Sequence, residues 1–128
     1  MSAIMLDNDY YQLMLDGRRT LDGISVLDTA YLILFKAKAW MDLTRRKQSG
    51  MHVNDRDLRK HKNDVFRLFS IVDPATRIIL PERVGDEMRG FINAMMDLDA
   101  DMEKLGMSGF SKNDIMNELY VIFGLQEV

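Results

Sequence analysis

The sequence predicts a mainly α fold of the α+β class, in which a small N-terminal β element with a hairpin is followed by a bundle of about four helices. Apolar residues recur at helical spacing in four segments that are bounded by capping residues, glycines or prolines. Asp22-Gly23 separates two short apolar runs and is typical of a two-residue type I′ hairpin turn. The 128 residues are 47% hydrophobic and 29% charged, which is typical of a globular domain that buries its own core.

The β element is expected within residues 1–28. The run SAIML at residues 2–6 is typical of a buried strand, and Asp7 is a suitable N-cap for a short helix over NDYYQLML that stops at Gly17. An extended conformation of DYYQLML is an alternative. RRTL and ISVL, on either side of Asp22-Gly23, are the predicted hairpin strands.

The helical bundle is expected within residues 29–128, and its helices are predicted at residues 29–48, 55–72, 81–105 and 111–123. Asp28, Asn54 or Asp55, and Ser111 are suited to cap three of these helices, and Pro81 is suited to the first position of the other. On the first bundle helix the predicted apolar side consists of Leu32, Phe35, Ala39, Trp40 and Leu43. On the second, the predicted stripe consists of Leu58, Val65, Leu68, Phe69 and Val72.

Residues 1–128 are interpreted as a single domain and as the C-terminal part of a larger protein. Three short extended segments make a sheet that needs further strands or a covering partner. We therefore expect residues 2–6 to belong to a sheet whose remaining strands lie upstream of Met1.

The composition excludes several kinds of chemistry. The chain has no cysteine, so thiolate nucleophiles, thiolate metal sites and disulfides are impossible, and a cytoplasmic location is expected. No signal sequence and no apolar run of membrane-spanning length is visible. The motifs GxxxxGK[ST], GxGxxG, GxSxG and HExxH are absent, and no metal site is predicted.

The charge is unevenly distributed along the chain. Residues Arg45 to Arg67 contain eight Lys and Arg against three Asp, a local charge of +5, whereas residues 81–128 contain ten acids against four bases, a local charge of −6. The two regions either are solvated or attract each other within the fold. Alternatively, the basic segment contacts nucleotide or RNA phosphates.

Lys36 is the most unusual residue of the first bundle helix, because helical geometry places it inside the predicted apolar side. Its ammonium must snorkel to solvent, pair with an acid or point into a cleft. Lys38 is explained by an i, i+4 pair with Asp42. On the next helix, His61 is either a satisfied, partly buried side chain or a proton shuttle, and Asp64 can pair with Lys60 and Arg67.

Two strings of the sequence resemble a known family. LILFKAKAWMDLTRRK carries Lys36 and Ala39, and RDLRKHKNDVFRL carries Asp64 ahead of Val65. Together with the preceding DGISVLDTAYLI, they resemble the C-terminal part of the nucleotidyltransferase family that includes the AbiEii/AbiGii toxins of toxin-antitoxin systems. The resemblance covers residues 1–72.

The resemblance implies a composite nucleotide site. It implies that Lys36 binds nucleotide phosphate and that Asp64 is catalytic, by orienting groups or as a base. The complete enzyme would use Mg²⁺ and a nucleoside triphosphate, and the partner of this chain would be an N-terminal nucleotidyltransferase half or a cognate protein. The sequence has no Gly-Ser dipeptide, and its Asp-x-Asp pairs, at residues 7 and 9, 55 and 57, and 97, 99 and 101, do not follow a GS motif. The family's upstream GS motif with its metal-binding DxD acids is therefore missing, so the isolated chain is expected to be inactive.

A second hypothesis makes the chain a noncatalytic helical interaction module. Such a module would be antitoxin-like or RNA-binding, and it would use the basic segment from Arg45 to Arg67.

Overall fold

The fold is mainly α, as predicted, with five helices and one two-stranded hairpin among the described residues. The computed structural model describes residues 8–98, 102, 104–107 and 109–125. In chain order the elements are α1 Asn8–Asp16, β1 Arg18–Leu21, β2 Ile24–Leu27, α2 Thr29–Gln48, α3 Asp55–Phe69, α4 Glu82–Asp97 and α5 Lys112–Ile122. The predicted strand at residues 2–6 and the predicted cap Asp7 lie outside the described residues.

The N-terminal helix and the hairpin form as predicted, and the extended alternative for DYYQLML is wrong. β1 and β2 are antiparallel, with Leu21 opposite Ile24 next to the turn. Asp22 and Gly23 have φ angles of 51° and 78°, and positive φ at both central positions defines a type I′ turn.

Helices α2 and α3 form an antiparallel pair. The Asn54 side chain accepts a hydrogen bond from the Arg56 backbone N–H and caps α3, as predicted. Asp28 precedes α2 without making such a bond, and its carboxylate lies 3.5 Å from Arg19 instead. At the α2–α3 connection, Lys47 Nζ lies 2.7 Å from Asp55 Oδ1.

Helix α4 is shorter than predicted, because it ends at Asp97 and not at residue 105. Leu98 is extended, with φ −87° and ψ 143°. Asp97 is the last residue of α4, and a negative side chain is unfavourable at a helix C-terminus. Lys112 Nζ, at the start of α5, donates hydrogen bonds to the Met96 and Leu98 carbonyls and so satisfies backbone acceptors at this helix end. Helix α3 also ends earlier than residue 72, at Phe69.

The core contains buried residues from all five helices, and α2 packs against both α3 and α4, while α4 also packs against α5. The Trp40 ring packs edge-on against Phe91 of α4, with centroids 5.6 Å apart. On α4 the buried apolar residues are Val84, Met88, Phe91, Ile92 and Met95, and Met96 is half-buried. On α3 the fully buried residues are Val65 and Phe66, the second of which the predicted stripe omitted.

The buried side of α2 differs from the predicted one. The buried residues are Ala30, Ile33, Leu34, Ala37 and Met41, while the five residues of the predicted apolar side are only half-buried. Helix α2 contacts both α3 and α4, so both edges of its buried arc are partly covered by neighbours. The spacing of apolar residues alone does not show which residues lie at the centre of the buried side of α2 when neighbouring helices cover both of its edges. In the part of the chain that the structure describes, no helix is both long and apolar enough to cross a membrane.

Candidate functional site

Lys36 and Asp64 face each other across the α2–α3 interface. Lys36 Nζ lies 3.0 Å from Asp64 Oδ2, and the side chains are 29% and 19% exposed. The two residues are 28 positions apart in the sequence, and the antiparallel packing of the two helices brings them together. The structure thus joins the two residues that the resemblance singles out, and it explains the lysine by an interhelical ion pair.

Two further cations surround Asp64 from within α3. Lys60 Nζ lies 3.2 Å from Asp64 Oδ2, and Arg67 Nη1 lies 3.9 Å from Oδ1, as the sequence predicted for these i−4 and i+3 neighbours. Three cations therefore share one carboxylate, which leaves an excess positive charge that attracts anions.

The electrostatics keep Asp64 ionised. Burial acts to raise the pKa of the Asp64 carboxyl, but hydrogen bonds from Lys36 and Lys60, together with their charges, outweigh burial and lower the pKa below its usual value. A carboxylate with a lowered pKa is a weak base near neutral pH. The geometry suits Asp64 to hold the Lys36 ammonium in position.

His61 lies one turn before Asp64 on α3, and its environment differs from the prediction. Its Nδ1 is buried and has no hydrogen-bond partner among the residues that the structure describes, so the expectation of a satisfied histidine is wrong for this atom. Burial lowers the pKa of His61, and the charges of Lys36 and Lys60 lower it further, against the opposing effect of Asp64 and Asp57. The lowered pKa favours the neutral imidazole beside the cation cluster.

A second ion-pair cluster, which we call the Glu87 cluster, was missed by sequence reasoning. Glu87 Oε2 accepts hydrogen bonds from Tyr10 Oη at 3.1 Å, from Lys38 Nζ at 3.2 Å and from Arg45 Nη2 at 3.3 Å. Its other oxygen accepts from Arg83 Nη1 at 3.2 Å. One carboxylate from α4 thereby links α1 and α2.

Lys38 is the more buried of the two lysines, with 13% of its side chain exposed. The predicted pair with Asp42 is present at 3.1 Å, but Lys38 also contacts Glu87 and lies 4.7 Å from the centroid of the Tyr10 ring. Burial acts to raise the pKa of Glu87, yet the charge and hydrogen bond of Lys38 and the bonds from Arg45 and Tyr10 lower it. Because Tyr10, Lys38, Arg45 and Arg83 each donate to the Glu87 carboxylate, we interpret the cluster as structural.

Lys36 and Lys38 lie on opposite edges of the buried arc of α2, because side chains two positions apart in an α-helix are rotated by about 200° around its axis. One edge faces α3 and the other faces α4. A helical wheel of the sequence shows the i, i+4 spacing of Arg83 and Glu87, but it gives no indication that Glu87 contacts Lys38, which is 49 positions away.

A separate cavity of about 180 Å³ lies between the start of α4 and the end of α5. It is lined mainly by apolar side chains, with Glu82 and Arg89 at its edge, and neither Lys36 nor Asp64 lines it. Arg89 is engaged there by the Leu125 carbonyl and by Asp86. The cavity offers no group that connects it to the α2–α3 site.

No group of three or more His, Asp or Glu side chains suited to a metal ion occurs within the described ranges. The described residues by themselves therefore provide no ligand cluster for the Mg²⁺ that the resemblance implies for the complete enzyme.

Comparison with known proteins yields no match: no family model, no curated protein and no solved structure is similar to this chain. The resemblance to the nucleotidyltransferase family accordingly stays a prediction that rests on the two strings quoted above.

Proposed function

We propose that this chain is the helical C-terminal region of a nucleotidyltransferase-like protein of the toxin family, and that it contributes Lys36 and Asp64 to a composite nucleotide site without being catalytic alone. The observation that carries the proposal is the 3.0 Å contact between Lys36 Nζ and Asp64 Oδ2. The resemblance names these residues from two separate strings, and nothing local in the sequence requires them to touch.

The proposed role of Lys36 is to bind nucleotide phosphate. An ammonium group has three N–H donors, and Asp64 takes one of them. The Lys36 side chain is 29% exposed, and we assign its remaining donors to a phosphate oxygen. A compact charge on a rigid helix is suited to a polyphosphate whose charge shifts during transfer.

The proposed role of Asp64 is to orient Lys36. Its lowered pKa keeps it negatively charged, and its ion pair fixes the ammonium at the exposed edge of the α2–α3 interface. Of the two roles that the resemblance implies for Asp64, orientation fits this environment better than acting as a base.

The remaining chemistry is assigned to the partner half. The GS motif and the DxD acids that would hold Mg²⁺ and the nucleotide are expected on an N-terminal nucleotidyltransferase half. This chain's part is to present one positioned cation to the phosphates.

Nucleotide binding tests the proposal directly. Amide chemical shifts of the chain would be followed while each of the four Mg²⁺-nucleoside triphosphates is added. We expect shifts at Lys36, Asp64 and their helical neighbours, and Lys36→Ala should weaken the binding about tenfold, since it removes a charge-assisted hydrogen bond.

Lys47→Ala is the matched control, because Lys47 also lies on α2 and also pairs with an aspartate of α3, at 2.7 Å. Its removal should leave nucleotide binding unchanged. If no triphosphate shifts the Lys36 region, or if both variants weaken binding equally, the composite-site proposal is wrong and the noncatalytic module is favoured. Coding sequence immediately upstream of Met1, or in an adjacent gene, should contain a GS and DxD pair; its absence would also count against the proposal.

A further inference from the structure

The outward face of α3 carries a continuous basic stripe. At 100° per residue, Arg56, Arg59, Lys60, Asn63 and Arg67 fall within an arc of about 100°. The four cations are exposed and Asn63 is half-buried. The three acids of α3 lie outside this arc, at its edges or beyond. We call these five residues the α3 stripe.

Two basic residues of the segment that lie outside the stripe are paired within the fold. Arg45 pairs with Asp42 and Glu87, and Lys47 pairs with Asp55, so their charges are largely engaged within the fold. The basic residues from Arg45 to Arg67 therefore do not form one uniform surface.

Within the stripe, two of the four cations make no salt bridge to the described residues. Lys60 and Arg67 share Asp64, whereas Arg56 and Arg59 make no salt bridge to any residue that the structure describes. Arg59 lies close enough to Asp55 to help lower the pKa of that carboxyl, after the larger effect of Lys47. The stripe has four positive charges, with the Asp64 and Asp55 carboxylates at its two edges, on a chain whose net charge is −3.

The exposed side chains of the stripe are better suited to bind a nucleic-acid backbone than a membrane surface. None of the exposed large hydrophobic residues of the described chain belongs to α3, so no apolar side chain is available there to insert among lipids. A row of exposed cations without apolar anchors is the pattern that matches regularly spaced phosphates.

The residues of the stripe also favour a double-stranded nucleic acid over a single-stranded one as the ligand. It contains no aromatic side chain on which an unpaired base could stack, because Phe66 is buried and Phe69 lies on the half-buried side. From Arg56 to Arg67 it is about 16 Å long, which spans roughly five base steps. The shallow minor groove of A-form RNA exposes phosphates and 2′-hydroxyls to such a surface, and the Asn63 amide at the middle of the stripe can donate to or accept from a hydroxyl.

We infer that the α3 stripe binds the phosphate backbone of double-stranded RNA. The inference goes beyond the nucleotide site and does not rest on it, because Arg56 and Arg59 contact neither Lys36 nor Asp64. The two surfaces adjoin at Lys60 and Arg67, which contact Asp64 from the stripe side.

Fluorescence anisotropy with a labelled RNA duplex of about 16 base pairs tests the inference, over about 50 to 200 mM salt. We expect salt-dependent binding by the intact chain. The double variant Arg56→Gln/Arg59→Gln should weaken binding about tenfold and reduce the slope of log K against log salt by about 0.9 for each lost phosphate contact.

Arg18→Gln/Arg19→Gln on the exposed hairpin is the matched control, because it removes the same charge from another surface. It should leave binding and slope unchanged, and circular dichroism should show that both variants keep their helices. Lys36→Ala should leave RNA binding unchanged while it weakens nucleotide binding, which separates this inference from the proposed function.

Comparison ligands complete the test. Duplex DNA of the same sequence, single-stranded RNA, an acidic peptide and vesicles of anionic phospholipid should each bind more weakly than duplex RNA. If any of them binds as tightly, if duplex RNA does not bind at about 50 mM salt, or if the hairpin control weakens binding as much as the stripe variant, the inference is overturned.

Discussion

Lys38 Nζ of α2 lies 3.2 Å from Glu87 Oε2 of α4, and the two side chains are only 13% and 15% exposed. This ion pair joins helices that are distant in the sequence, and Tyr10 of α1 donates to the same carboxylate oxygen. The Glu87 cluster therefore connects three helices through one side chain.

Glu87→Gln should destabilise the fold by about 2 to 3 kcal/mol, because it leaves Lys38, Arg45 and Arg83 with a neutral partner in a partly buried position. Urea unfolding measures the change. Asp86→Asn is the control on the same helix, since Asp86 is 66% exposed and pairs with no described residue other than Arg89, and it should cost less than about 1 kcal/mol. Equal losses in the two variants would contradict a special role for Glu87.

Acid should weaken the fold through its paired carboxylates. The pKa values of Glu87 and Asp64 are lowered in the fold, so over the acid range the folded chain binds fewer protons than the unfolded chain. Their contribution to the free energy of unfolding is complete above the usual carboxyl pKa and is lost as the pH falls from about 5 through the lowered values. Urea titrations at successive pH values measure this loss, and Glu87→Gln should show a shallower pH dependence than the unsubstituted chain.

Removing the positive charge of Lys36 should change the pKa of His61. Burial and the charges of Lys36 and Lys60 lower the pKa of His61, so Lys36→Met should raise it. Ring-proton or ring-nitrogen NMR signals of His61 measure the pKa. Lys47→Met, which removes a lysine from the far end of α2, should leave the value unchanged.

The lowered pKa of His61 also has a consequence for stability. Because the folded chain disfavours the protonated imidazole, the His61 contribution is complete above the usual histidine pKa of about 6.5 and is lost as the pH falls below it, through the lowered value. A His61 pKa that does not move in Lys36→Met would contradict the proximity of the two side chains.

Replacing Gly17 and Gly90 with alanine should change the stability of the fold in opposite directions. A Cβ at Gly17 would lie 2.4 Å from Tyr31 Cγ, so Gly17→Ala must displace the Tyr31 ring and should cost about 2 kcal/mol. A Cβ at Gly90 would meet no atom within 4 Å, and Gly90→Ala within α4 should stabilise the fold by about 0.5 to 1 kcal/mol. Thermal or urea unfolding measures both changes. A neutral Gly17→Ala would show that Tyr31 moves aside without cost.

The secondary structure could be predicted closely from the sequence wherever a local signal exists. Asp22-Gly23 predicted the hairpin turn, and Asn54 and Ser111 predicted the starts of α3 and α5. These signals involve residues within four positions of each other, so their geometry does not depend on the rest of the fold. The end of α4 was predicted wrongly because helical periodicity continued past Asp97, and the carbonyls there are satisfied by Lys112, which lies beyond the next loop.

The candidate site was predictable only in part. The i, i+4 pairs of Lys60 with Asp64 and of Lys38 with Asp42 follow from helical spacing, and both are present. The contacts of Lys36 with Asp64 and of Lys38 with Glu87 join different helices, and a helical wheel does not contain the position of a neighbouring helix.

By itself the sequence determined the mainly α fold, the hairpin turn, the helix starts and the concentration of positive charge before residue 68. Only the tertiary structure decided which arc of α2 is buried, which acid each lysine meets, and which cations of the basic segment stay on an exposed stripe. The physical reason is that turns, caps and amphipathic periodicity arise from hydrogen bonds and side-chain spacing within a few residues. The partner of a charged side chain is instead decided by long-range packing, which sets the rotation of each helix against its neighbours.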